Sequence, residues 1–170
     1  MKARWRGRRA AGLAVVVLVG SLIVAAAAWA RDDSEPWLVV RDDGGTELAR
    51  VALPESRELT LRYRNSIYHS LAEEHFHVSG RMLDLVALSA EEPAVLEEYY
   101  GAFGATRDDT PGDLAWNVAV ERPDVTLPLR IQATALGERT LLVDGDEIPL
   151  WQLVAGRDDT VVVLTLENGT

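Results

Sequence analysis

All three histidines of the chain, His69, His75 and His77, lie in the stretch YRNSIYHSLAEEHFHV, Tyr63 to Val78. Within it Glu73, His75 and His77 are spaced E-x-H-x-H. Alternate side chains of a β-strand share a face, so this spacing presents one carboxylate and two imidazoles together. That donor set suits Zn²⁺ or a similar dication and would make the chain a small metal-dependent, hydrolase-like enzyme. A second group is interleaved with the first. Asn65, Ser66 and Glu74, with Tyr63 and Phe76 beside them, combine an amide, a hydroxyl and a carboxylate. Such groups hold a ligand, or each other, by hydrogen bonds.

Strand phase decides how these residues are presented. In ELTLRYRNSI, Glu58 to Ile67, Leu59, Leu61 and Tyr63 fall on one face and Thr60, Arg62 and Arg64 on the other. Residues 73–78 are expected to pair antiparallel with this strand across a loop over Tyr68–Ala72. The apolar phase then sets Tyr63 opposite Phe76, Leu61 opposite Val78 and Asn65 opposite Glu74, the last pair facing inward. A carboxylate in that position needs hydrogen-bond donors or a raised pKa, and Asn65 and the Ser66 region are the expected donors. Glu73, His75 and His77 fall on the outer face, where the same register places Arg64 beside His75 and Arg62 beside His77. Two guanidinium groups oppose a dication. The outer face is therefore expected to be polar surface, with the metal site as the alternative.

The group Tyr63, Asn65, Ser66, Glu74 and Phe76 reads Y-x-[H/N]-S, a Glu eight residues after the Ser, and an aromatic two further on. It resembles the family catalogued as domain of unknown function 1850, DUF1850. Tyr100-Gly101-Ala102 looks like that family's later Tyr/Phe-Gly-Ala element. The resemblance extends in layout from Trp37 to the C-terminus. It implies a small exported or anchored protein of no established activity, often encoded beside TAXI-type TRAP transporters. The implied partner is such a transporter or its solute receptor. By resemblance the candidate binding residues are Tyr63, Asn65, Ser66, Glu74, Tyr100 and Gly101. The family usually carries His where this chain has Asn65. An Asn can hold a carboxylate but cannot relay a proton, so a binding or structural role is expected rather than acid–base catalysis.

Between Ala10 and Ala30 there is no charged residue, and five basic residues precede that run. The segment is long enough to cross a bilayer as a helix. The positive-inside rule places the N-terminus in the cytoplasm and the body outside. Cleavage after Ala30, in the small-x-small pattern Ala28-Trp29-Ala30, is the competing outcome, and both export the body. Residues 1–30 are thus read as anchor or signal, 31–36 as linker and 37–170 as an extracytoplasmic domain. The residues beyond the first nine carry 12 basic and 27 acidic side chains, a net charge of −15. Such a body repels nucleic acid, and no nucleic-acid partner is expected. There are no cysteines, which excludes disulfides, thiolate metal sites and a cysteine nucleophile. No phosphate loop, dinucleotide fingerprint or serine-hydrolase elbow is present, and no cofactor is expected.

The body reads as an all-β domain, an antiparallel sandwich or partly open barrel of hairpins. Asp42-Asp43-Gly44-Gly45 and Asp144-Gly145-Asp146 mark two hairpin turns. LPLRIQATAL, from Leu127, and EIPLWQLV, from Glu147, read as strands. AEEPAVLEEYYGAF, from Ala90, reads as one short helix or an ordered loop. Tyr99 and Tyr100 are expected to pack in the core, with the lining of a pocket near Glu74 as the alternative. A third possibility beside the binding module and the enzyme is a purely structural subunit of a membrane complex.

Overall fold

Among the described residues the alternating runs of the body form twelve β-strands, and every pairing among them is antiparallel. The structure is a computed structural model and describes residues 35–108, 114–122 and 125–168. One sheet has four strands, in the order β2 (Glu47–Ala52), β1 (Trp37–Asp42), β12 (Val161–Glu167) and β9 (Leu129–Gln132). The larger sheet starts with β11 (Asp146–Pro149), β10 (Thr140–Val143) and β3 (Glu58–Arg64). It continues through β4 (Leu71–Ser79), β5 (Met82–Ala90), β7 (Trp116–Ala119) and β6 (Thr106–Arg107), with β8 (Val125–Thr126) paired to the far end of β5. Both sheets keep two open edges, so neither closes into a barrel.

Period-2 alternation gives each sheet an apolar face, and the two faces supply one main core. Leu38 and Val40 of β1 and Val162 and Leu164 of β12 share it with Leu59 and Leu61 of β3 and Phe76 and Val78 of β4. A second cluster lies at the other end of β3 and β4. Tyr63, Ala72, Leu88 and Ala90 are covered there by Val95, Leu96 and Ala102.

Both expected hairpin turns form, joining β1 to β2 and β10 to β11. Three expected elements are shorter or different. The strand expected from Glu147 stops at Pro149, and Leu150–Leu153 turns into a short helix, α1. Proline has no N–H to extend the ladder, and the turn buries Leu150. The stretch from Ala90 coils only briefly, and its one helical element is a single π-helical turn over Val95–Tyr99. Gly101 ends it at φ +61°, a left-handed conformation that glycine adopts without steric cost. The strand expected from Leu127 is limited to Leu129–Gln132, because Thr134 Oγ1 accepts the Gly137 amide at 3.2 Å and turns the chain. The expected N-terminal anchor or signal lies outside the described residues. Among the described residues no helix is long and apolar enough to cross a membrane.

Candidate functional site

The register of β3 against β4 controls the whole region. Tyr63 lies opposite Ala72, Leu61 opposite Glu74 and Leu59 opposite Phe76. The expected pairs, Tyr63 with Phe76 and Asn65 with Glu74, are therefore four residues out of register. The cause is the turn. Asn65 N–H bonds the Ser70 carbonyl at 2.8 Å, so the chain reverses over Asn65–Ser70, and β4 begins at Leu71. Asn65 Oδ1 accepts the amides of Ile67 and Tyr68 at 2.9 and 3.1 Å, an Asx turn that ties the loop to the strand end. A slip by an even number leaves each residue on its face. Glu74 still points to the inner face, and Glu73, His75 and His77 to the outer one, but every cross-strand partner is new.

Glu74 is held by tyrosines and not by Asn65. The Tyr100 hydroxyl donates to Glu74 Oε1 at 2.6 Å, and Tyr63 Oη lies 2.6 Å from Tyr100 Oη. Each phenol has one proton. With that of Tyr100 engaged by the carboxylate, Tyr63 is the donor to Tyr100. The π-helical turn and the Gly101 bend deliver Tyr100 to this position. Burial pushes both phenols above their ordinary pKa, and the Glu74 charge adds to it, so both stay protonated. The resemblance-derived residues Tyr63, Glu74 and Tyr100 are thus one connected chain, and Gly101 shapes it.

On the outer face the new register pairs the charges differently from expectation. Arg62 faces Glu73, and its Nε donates to Glu73 Oε1 at 2.8 Å. Thr60, not an arginine, faces His75. His75 Nδ1 lies 3.0 Å from Thr60 Oγ1 and Nε2 lies 2.7 Å from Ser89 Oγ, while Ser89 Oγ donates to Asn117 Oδ1 at 2.6 Å. The Nε2 edge also lies 3.6 Å from Glu73 Oε2. Burial lowers the His75 pKa from 6.5, with Glu73 and Glu58 opposing the shift. His77 stands by Asp84, 3.9 Å away. Among the described residues no three His, Asp or Glu side chains are grouped to hold a metal ion. The E-x-H-x-H donors face the same way, but Glu73 is engaged by an arginine and His75 by two hydroxyls.

A pocket of about 190 Å³ opens at the end of β3. Tyr63, Asn65 and Ser66 line one side, and Gln132, Thr134, Leu136 and Arg139 line the other. Tyr99 also lines this pocket, whereas Tyr100, bonded to Tyr63, and Glu74 do not. Tyr63 and Asn65 are buried at 5% and 4% exposure. The second wall comes from the loop between β9 and β10, fastened to β3 by the Arg64 N–H to Gly137 carbonyl bond of 2.8 Å. Arg139 follows from the pairing of Thr140 with Arg62, which places the preceding residue beside Tyr63. Its guanidinium carbon sits 5.6 Å from the centroid of the Tyr63 ring.

Arg139, Gln132 and Thr134 were not singled out in the sequence. The signal that could have found them is the Gly137-Glu138-Arg139 run before an apolar strand, a turn delivering two charges to a strand start. Compared with known protein families, curated proteins and solved structures, the chain matches none.

Proposed function

We propose that this protein is an exported, membrane-anchored binding module that serves a solute-import system and carries out no reaction of its own. The observation that supports the binding role is the coincidence of three motif residues, Tyr63, Asn65 and Ser66, with the wall of a pocket. Their geometry suits binding better than catalysis. Tyr63 and Tyr100 are held protonated by burial, and Asn65 spends its oxygen on two backbone amides. The export and the anchor rest on the uncharged run from Ala10 to Ala30. The link to a TRAP-type transporter or its solute receptor rests on the resemblance of the motif. The two-sheet body fits a sandwich that presents this pocket outside the cell.

The test is deletion of the chain from its cells, followed by complementation with the wild type and with the Ser66→Trp variant, which fills the pocket from its rim. Solute uptake through the transporter is expected to fall on deletion and to recover only with the wild type. Unchanged uptake after deletion overturns the transport role. Pull-down of the full chain from solubilised membranes is expected to bring down the transporter or its receptor.

A further inference from the structure

Six of the eleven described arginines, Arg41, Arg50, Arg62, Arg64, Arg130 and Arg157, are matched with acids. Arg57, Arg81, Arg107, Arg122 and Arg139 are not, among the described residues. Of these five only Arg139 lines the pocket, and it has no carboxylate partner among the described residues although the chain carries a large acidic excess. Its guanidinium lies over the Tyr63 ring. A guanidinium laid over an aromatic face keeps its edge N–H groups free, and those groups match a carboxylate in a two-pronged pair.

The neighbouring groups define the ligand further. Arg64 lines the same pocket but is neutralised by Glu138 at 2.9 Å and also donates to the His69 carbonyl. The pocket therefore offers a single unneutralised positive charge, which favours a monoanion over a dianion in so acidic a protein. Asn65, almost fully buried, has committed its oxygen to Ile67 and Tyr68, and its Nδ2 has no partner among the described residues. It is a second donor lining the pocket. Leu136 and Tyr99, at 61% and 56% exposure, form an apolar rim. The volume of about 190 Å³ is below the ~300 Å³ at the low end of drug-sized sites, so the ligand is small.

Resting on the binding role proposed above, we infer that the pocket between β3 and the β9–β10 loop takes a small organic monocarboxylate with an apolar group. Its carboxylate pairs with the unmatched Arg139, and its apolar part lies against Leu136 and Tyr99.

The test uses the purified full chain in detergent, titrated with benzoate, with the uncharged benzamide and with benzyl alcohol, and read by calorimetry and by the NMR signals of the pocket residues. Benzoate is expected to bind saturably and benzamide about tenfold more weakly or worse, as loss of a charge-assisted pair implies. Arg139→Gln is expected to remove that preference, while Arg107→Gln, on the exposed strand β6, leaves it intact. Equal binding of benzoate and benzamide at the pocket, or an Arg139→Gln chain that keeps the preference, overturns the carboxylate assignment and leaves the binding role standing. No perturbation of the pocket signals by any of the three compounds counts against both. The contrast between benzoate and benzamide on the wild type needs no variant, so it holds even if Arg139→Gln folds poorly.

Discussion

Tyr63 carries two roles at once: its ring lies 5.6 Å beneath the Arg139 guanidinium, and its hydroxyl reaches the Tyr100 hydroxyl at 2.6 Å. The pocket wall and the inward carboxylate Glu74 are therefore joined through one side chain. The phenol chain Tyr63–Tyr100–Glu74 fixes the pocket from behind and gives the half-buried Glu74 carboxylate its donor.

The two phenols can be separated by substitution. Tyr63→Phe keeps the ring under Arg139 and is expected to cost about 1 kcal/mol, the net value of one hydrogen bond. Tyr100→Phe takes the donor from Glu74 as well and is expected to cost about 1–3 kcal/mol. In urea denaturation the double variant should be less destabilised than the sum of the two, because both remove the same bond. Strict additivity would show that the hydroxyls do not interact.

Asn65 acts on the loop through its side-chain oxygen. Asn65→Ala is expected to cost about 1–2 kcal/mol, the order seen when a comparable side-chain cap is lost, and to speed amide exchange at Ile67 and Tyr68. Asn65→Asp retains an acceptor and should restore most of the protection. Equal exchange in all three chains would remove Asn65 from this role.

His75 makes stability depend on pH with a definite sign. Burial lowers its folded pKa below 6.5, so the unfolded chain binds the proton more readily. The contribution is complete above pH 6.5 and is lost as the pH falls through the depressed folded value. His75→Asn should flatten the part of the stability curve just below pH 6.5 relative to the wild type. Urea midpoints of both chains across this range provide the check, and parallel curves would refute it.

Metal addition tests the outer face. The Arg62–Glu73 pair and the Thr60–His75–Ser89 hydrogen bonds must break before Glu73, His75 and His77 can ligate. Zn²⁺ or Mn²⁺ added to the purified chain is expected to leave Tm unchanged. A metal-dependent rise that Glu73→Gln and His75→Asn abolish would reinstate the site.

Much of this architecture was legible as alternation. Leu59, Leu61 and Tyr63 face inward against Thr60, Arg62 and Arg64 because side chains on a strand alternate, whatever the strand is paired with. The two Asp/Gly hairpin turns were legible for a local reason too, since positive φ at Gly45 and Gly145 is a property of the turn itself. The inward carboxylate Glu74 belongs to the same class of inference.

Local pattern is silent on partners. It placed Asn65 against Glu74, whereas the Asx turn at Asn65 starts the reversal sooner and shifts the ladder by four residues. An even shift preserves faces and changes neighbours, so the alternation itself held no warning. Tyr100 reaches Glu74 from 26 positions away, and Arg139 reaches Tyr63 from a different hairpin. The sequence by itself determined which face each side chain takes, because that depends on adjacent residues alone. Tertiary structure alone decided which side chains meet across the strands and that an unmatched arginine stands in a pocket, because those contacts depend on where distant segments close.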